Sequence, residues 1–181
     1  MAPITFITGN LGKVEEVRRY LGLPLEHVAL DIPEIQSLSS EEIVRDKAER
    51  AYEALKRPVL VEDVSFVMHG LGKLPGPFIK WFEQELGNER LCRIIDGKDR
   101  GATVCVMYGY HDGNTVHIVE ERAKGTIVES PRGERSFGWA PIFAPEGHEK
   151  TYAELSDEER DAVSWRLKAL KRLREHLEAV A

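Results

Sequence analysis

The sequence has few cysteines, no block of basic residues and no long apolar run. Its two cysteines, Cys92 and Cys105, have neither CxxC nor Cys/His spacing, so they indicate neither a disulfide framework nor a zinc site. The net charge of −6, without clustered Lys or Arg, argues against a nucleic-acid or anionic membrane partner. No stretch approaches the ~20 apolar residues of a membrane span, and the first residues lack a signal-peptide pattern. We therefore expect a soluble, cytoplasmic protein.

The composition that is present is typical of one folded domain. The chain has 181 residues, of which 42% are hydrophobic and 31% are charged. This length fits a single domain over residues 1–181, and the apolar fraction is high enough to offset the entropy lost on folding. Intrinsic disorder is therefore not expected.

The first third of the chain alternates short apolar runs with amphipathic segments. Apolar residues at spacings of three and four predict two helices, and Ser39 with Glu42 predicts a capping box at the start of the second. Short β-branched runs predict buried strands, the third of which ends at the acids Glu62 and Asp63. The predicted strands are 4–8, 25–30 and 58–61, and the predicted helices are 12–21 and 40–56.

The rest of the chain has a different pattern. The Asp112-Gly113 turn predicts a hairpin, so this part of the sheet is expected to be antiparallel. Ser156 with Glu159 predicts the capped start of one long last helix. Short helices are predicted over 78–86 and 90–95, strands over 102–110, 115–121 and 125–130, and a loop over 131–147. The combination indicates an α/β protein with a long mixed sheet flanked by helices.

The turn between the first strand and the first helix is a candidate phosphate site. Thr8, Gly9 and Asn10 form this turn, and Lys13 follows in the first part of the helix. Backbone N–H groups, the helix dipole and one ammonium could converge there on a phosphate. Neither GxxxxGK[ST] nor GxGxxG is present, so an ordinary strand-to-helix turn is the alternative.

Three acidic residues form a candidate metal site. Glu62 and Asp63 are successive residues of a strand, so their side chains point to opposite faces and are expected to differ in role. With Glu34 they offer carboxylates for Mg²⁺, which takes one or two protein carboxylates together with phosphate oxygens of a substrate. A solvated, acidic strand end is the alternative.

Two further segments combine aromatic groups with cations. Lys80 follows a Pro-Gly-Pro turn and stands among apolar residues, although a lysine that extends its ammonium into solvent is the alternative. The aromatic loop 136–143 could stack a base or pack in the core. Arg160 lies one turn before Ser164 and could bind a ligand or form a surface ion pair.

The order of these segments resembles that of the inosine triphosphate pyrophosphatase family, also called Ham1. The matching segments are TGNLGK at 8–13, DIPEIQ at 31–36, VEDVSF at 61–66, LPGPFIKWF at 74–82, SPRGERSFGWAPIF at 130–143, TYAEL at 151–155 and AVSWRLKAL at 162–170. The match covers nearly the whole chain, and LPGPFIKWF and VED are specific to the family. The resemblance implies a single two-lobed domain with a central nucleotide cleft.

The resemblance also implies a function. Members of the family hydrolyse noncanonical purine nucleoside triphosphates (ITP, dITP and XTP) to the monophosphate and pyrophosphate, with Mg²⁺ and usually as homodimers. Matching motifs imply metal binding by Glu34 and Asp63, and catalytic roles for Asp63, Lys47 and Lys80. They imply substrate contacts from Thr8, Asn10, Lys13, Phe137, Gly138, Trp139, Arg160, Ser164, Trp165 and Arg166. Lysines would stabilise the transferring charge, and a carboxylate would orient or deprotonate the attacking water.

Three positions depart from the family pattern. Ala140 replaces the Asp of Phe-Gly-Trp/Tyr-Asp-Pro, and Trp165 replaces the His of Ser-His-Arg. Arg160 followed by Asp161 replaces the Lys-Asn of Lys-Asn-Ala-Val-Ser. All three lie in the base-recognition half, where the family His helps hold the purine 6-oxo group. We therefore expect retained hydrolysis with altered base specificity.

Two alternatives to this function belong to other classes. One is a nucleotide-binding protein without turnover, against which the presence of Lys13, Glu34, Asp63 and Lys80 argues. The other is a Maf-like pyrophosphatase acting on other nucleotides, against which LPGPFIKWF argues, because that segment is not typical of Maf proteins.

Overall fold

The computed structural model describes residues 4–134 and 138–179. The helices are α1 Leu11–Leu21, α2 Ser40–Leu55, α3 Ile79–Arg93, α4 Asp157–Val163 and α5 Trp165–Ala179. The strands are β1 Ile4–Ile7, β2 Leu25–Val28, β3 Val59–Met68, β4 Pro75–Gly76, β5 Gly101–His111, β6 Val116–Ile127 and β7 Phe143–Pro145. No helix of these described residues is long and apolar enough to cross a membrane.

The strands form one mixed sheet of seven strands. Six of them follow the order β2-β1-β3-β5-β6-β7, and β4 pairs with β3. β1 is parallel to β2 and to β3, whereas β4 is antiparallel to β3 and β7 is antiparallel to β6. The prediction of an α/β fold with a long mixed sheet is confirmed. The single domain and the central cleft stay predictions.

Residue contacts divide the chain into two compact units. Unit 1 comprises residues 1–63, 106–121 and 166–181, and unit 2 comprises residues 64–105 and 122–165. The predicted site residues of α1, α2 and the first half of β3 therefore belong to unit 1. Those of α3, α4 and the aromatic loop belong to unit 2.

Unit 1 is built on the buried strand β1 and the two helices that follow it along the chain. The apolar stripe of α1 is buried at Val14, Val17 and Leu21, as its spacing predicts. Gly109 of β5 lies so close to α2 that an added Cβ would stand 2.5 Å from Val44 Cγ1. The absence of a side chain at Gly109 thus allows α2 to pack directly on the sheet.

Unit 2 has an aromatic core. The rings of Phe66 and Trp139 stack with centroids 4.7 Å apart, and Phe143 meets both rings edge-on at 5.7 Å. α3 is kinked at Gly87, which has φ 67° inside the helix. The kink occurs at Gly87 because only glycine adopts this conformation without steric cost. It lies in the gap between the two short helices predicted over 78–86 and 90–95.

Four predicted boundaries are wrong. β3 does not end before Glu62 and Asp63 but continues to Met68, because partners distant in sequence neutralise the buried Glu62. The strands predicted over 115–121 and 125–130 are one strand, β6, since alternation of burial persists through its polar middle. The predicted loop 131–147 contains the buried strand β7.

The fourth concerns the end of the chain, where one helix is predicted and two are present. The capping box of Ser156 and Glu159 begins α4, and extended backbone at Ser164 (ψ 109°) separates α4 from α5. A single non-helical residue leaves the spacing of three and four almost intact, so periodicity does not detect it.

Candidate active site

The start of α1 is organised by Asn10. Asn10 Oδ1 caps the helix by accepting from the Lys13 backbone N–H at 3.3 Å, and Thr8 Oγ1 accepts from the Asn10 N–H at 3.1 Å. Because the first turn carries no acidic residue, the positive end of the helix dipole there is not neutralised locally. The N–H groups of Thr8, Asn10 and Lys13 already donate within the chain, so phosphate binding by this turn stays a prediction.

Asp63 is the carboxylate of β3 with the least satisfied hydrogen bonding. Its Oδ2 is buried and has no hydrogen-bond partner within the described residues. Burial raises the pKa of Asp63, and the charge of Glu34 raises it further. A side-chain hydrogen bond from Ser40 and the charges of Lys47 and Lys13 lower that pKa but do not outweigh burial. These contributions show that Asp63 lies within electrostatic reach of both lysines and of Glu34.

Glu34 and Lys47 form an ion pair beside Asp63. Lys47 Nζ lies 2.5 Å from Glu34 Oε1, and the Lys47 side chain is 18% exposed against 55% for Glu34. Among the described residues, no group of three or more His, Cys, Asp or Glu side chains is arranged to hold a metal ion. Two carboxylates, one with an unpartnered buried oxygen, nevertheless fit an ion such as Mg²⁺ that keeps several non-protein oxygens.

Glu62 occupies the opposite face of β3 and is almost fully buried. Its Oε1 lies 2.9 Å from Lys13 Nζ and 3.2 Å from Arg166 Nη2, and its Oε2 accepts from the Tyr108 hydroxyl at 2.7 Å. Arg166 also pairs with Glu16. Burial alone would raise the pKa of Glu62, but the charges of Arg166 and Lys13 and these hydrogen bonds outweigh it and hold that pKa at about 2.

The predicted base-recognition residues of unit 2 form an aromatic stack with one arginine at its end. Trp165 is 6% exposed and packs against Trp139 at 5.8 Å and against Tyr152 at 4.9 Å. The Arg160 guanidinium lies 4.8 Å from the Tyr152 ring centroid. Ala140 is also buried. The structure therefore brings together Trp139, Trp165 and Arg160, and it makes Trp165 a core residue of this unit.

The other predicted residues of unit 2 make different contacts. Lys80 is exposed, with its ammonium 5.3 Å from the ring centroid of the equally exposed Trp81. The Gly138 carbonyl accepts from Asn88 Nδ2 at 2.9 Å. Ser164 is buried between α4 and α5. Phe137 lies outside the described residues.

The structure adds Tyr108 and Glu16 to the residues selected from sequence, and it places Glu62, one of the three candidate metal carboxylates, in an ion-pair cluster instead. The surroundings of the two successive acids differ, and their different roles stay a prediction. Nothing local in the sequence shows that Glu62 is the centre of an ion-pair cluster. Tyr108 within the apolar strand β5 is a weak indication of a buried polar partner, since a buried hydroxyl needs a hydrogen bond. Glu16 on the polar face of α1 gave no signal.

Solved structures with the same fold are found among Ham1 proteins. A HAM1 protein from Coxiella burnetii superposes with a TM-score of 0.87 at 25% identity, over 99% of this chain and 100% of that one. A nucleoside-triphosphatase described as a dITP/XTP pyrophosphatase, from Mycobacterium abscessus, gives 0.77 at 28% identity, over 94% and 98%. The fold is thus that of an α/β protein of the Ham1 class.

The sequence comparisons agree with the structural ones. The Ham1 family model matches residues 4–176. Inosine triphosphate pyrophosphatase 2 of Trypanosoma cruzi is 46% identical over 96% of this chain and 91% of its own, and the inosine triphosphate pyrophosphatase of Schizosaccharomyces pombe is 40% identical over 97% and 95%. The chain belongs to the Ham1 family, which confirms the resemblance found in its motifs.

Proposed function

We propose that the protein hydrolyses the noncanonical purine nucleoside triphosphates ITP, dITP and XTP to the monophosphate and pyrophosphate, with Mg²⁺. The observation that carries this proposal is the similarity, over nearly the whole chain, to proteins named inosine triphosphate pyrophosphatase. Enzymes of the Ham1 family generally depend on a divalent metal. The carboxylates and lysines of unit 1 are the residue types that this reaction needs.

In this proposal Asp63, whose Oδ2 has no hydrogen-bond partner among the described residues, and Glu34 would hold the metal. Bound Mg²⁺ would neutralise phosphate oxygens and polarise the phosphoryl group. Lys13, at the N-terminus of α1, and Lys47 stabilise the charge of the transferring phosphates. Asp63 orients or deprotonates the attacking water.

The deciding experiment measures pyrophosphate and phosphate release from ITP, XTP, GTP and ATP, with Mg²⁺ and with excess chelator. We expect pyrophosphate release that depends on the metal and is faster with ITP and XTP than with GTP and ATP. Nucleotide binding without turnover would leave a binding protein, and pyrophosphate release only from other nucleotides would favour the Maf-like alternative.

The role of Lys80 can be tested separately. If its exposed ammonium contacts phosphate oxygens, Lys80→Ala should lower kcat/KM by roughly 10²-fold to 10³-fold on every nucleotide alike, as loss of one charge-stabilising donor does. Steady-state kinetics on four nucleotides measure this. Lys73→Ala, which removes another exposed ammonium of unit 2, is the matched control and should leave rates unchanged. A change confined to the ranking of bases would place Lys80 in base recognition.

A homodimer and a cytoplasmic location stay predictions. Light scattering on the purified protein tests the first, with twice the 20.5 kDa mass of one chain expected.

A further inference from the structure

We infer that Glu62 is a positioning residue, which aims the Lys13 ammonium for phosphate binding and couples it to Arg166. This inference rests on the proposed function in one respect, namely that Lys13 contacts the phosphates of the substrate. It assigns Glu62 a role distinct from that of Asp63, its neighbour on the other face of β3.

The first observation is that both oxygens of Glu62 are already occupied. The carboxylate is 1% exposed, Oε1 faces Lys13 and Arg166, and Oε2 holds the Tyr108 hydroxyl. These partners take three of the roughly four lone-pair sites of the carboxylate, and burial leaves almost none of its surface open to a metal ion or a water molecule. Glu62 therefore acts through the groups it holds.

The second observation is that Lys13 is fixed at both ends. Its backbone N–H donates to the Asn10 side chain, and its ammonium lies 2.9 Å from Glu62 Oε1. An ammonium has three N–H donors, so one bond to Glu62 leaves two for a ligand. The Lys13 side chain is 24% exposed, so the ammonium is reachable while its direction is set by Glu62.

The third observation is the charge balance of the cluster. Lys13 and Arg166 carry two positive charges, and Glu62 and Glu16 carry two negative ones. Because Oε1 is shared, a displacement of either cation changes the hold on the other. Removal of the Glu62 charge has two opposite effects: the region becomes more attractive to a polyanion, and Lys13 loses its direction.

These opposite effects give Glu62→Gln a distinctive signature. We expect its Kd for inorganic tripolyphosphate to be equal to or lower than that of the wild type, measured by calorimetry. We expect kcat on ITP to fall by about 10-fold to 10²-fold, the scale of a misdirected catalytic contact. In the Lys13→Ala background the same change should lower kcat far less than in the wild type, because Glu62 acts mainly through Lys13.

Glu16→Gln is the matched control, since it removes a carboxylate from Arg166 but none from Lys13. In the double variant, the fold-changes in kcat caused by Glu16→Gln and by Lys13→Ala should multiply, as expected for independent residues. If Glu62→Gln does not fold, Glu62→Asp replaces it, because it keeps the charge but withdraws the oxygens from Lys13. Its effect on kcat is then compared in the wild type and in the Lys13→Ala background in the same way. An unchanged kcat, or effects of Glu62 and Lys13 that multiply, would overturn the inference. A wild type that binds tripolyphosphate but releases no pyrophosphate would refute the proposed function instead.

Discussion

Asp63→Asn is expected to lower kcat by roughly 10² or more and, at the same time, to stabilise the metal-free protein. The activity should fall because the proposed function assigns Asp63 to metal binding and to the attacking water, and Asn supplies neither a charged carboxylate nor a base. Stability is gained because the wild type must bury an ionised carboxylate when it folds. The raised pKa of Asp63 indicates this cost, and the neutral Asn side chain avoids it. Steady-state kinetics on ITP and urea unfolding at pH 7 in chelator measure the two effects.

The pH dependence of the stability gain follows from the direction of the pKa shift. A folded-state pKa above the unfolded value means that the folded protein binds this proton more tightly, so lowering the pH through the raised pKa stabilises the wild type at this site. Asn does not titrate, so the stability difference between variant and wild type should shrink as the pH falls. A constant difference would show that the gain has another cause.

Asp46→Asn is a matched control for this experiment. Asp46 pairs with Arg50 one turn further along α2, and such a pair, with Arg50 exposed and Asp46 partly exposed, contributes little to stability. This variant should leave kcat unchanged and alter the free energy of unfolding by less than about 0.5 kcal/mol. Wild-type rates in Asp63→Asn would contradict the role of Asp63.

Local signals predicted those elements whose causes lie within a few residues. The N-cap residues Ser39 and Ser156 are correct, because a cap is a bond to a residue two or three positions away. The capping box is complete only at Ser156, since the Glu42 side chain bonds to Ser37 instead of returning to the Ser39 backbone. The apolar stripe of α1 is correct for the same local reason.

Features that depend on distant partners could not be predicted in this way. The acids Glu62 and Asp63 indicate a strand end when seen alone, yet the strand continues because Lys13, Tyr108 and Arg166, contributed by three other elements, satisfy Glu62. Sequence motifs selected Lys13 and Arg166 as separate contacts. Only the fold shows that they share one carboxylate oxygen.

The second large effect concerns base specificity, where we expect the preference for ITP and XTP over GTP and ATP to be weaker than is usual in the family. The reason is that Trp165 and Ala140 replace a His and an Asp that the resemblance assigns to the base. Trp165 is packed among Trp139, Phe143 and Tyr152, so its ring is part of the core of unit 2. Each lost hydrogen bond to a base is worth about 1–3 kcal/mol of discrimination.

The test compares the wild type with Trp165→His combined with Ala140→Asp. We expect the ratio of kcat/KM for ITP to that for ATP to rise in the combined variant, by about 5-fold to 150-fold for one restored contact. The substitutions replace buried groups, so part of the protein could be lost to unfolding, but a ratio of rate constants is independent of the active fraction. Trp165→Phe keeps an aromatic ring without the indole N–H and should leave the ratio unchanged. Identical rankings in all three proteins would mean that these two positions do not set the choice of base.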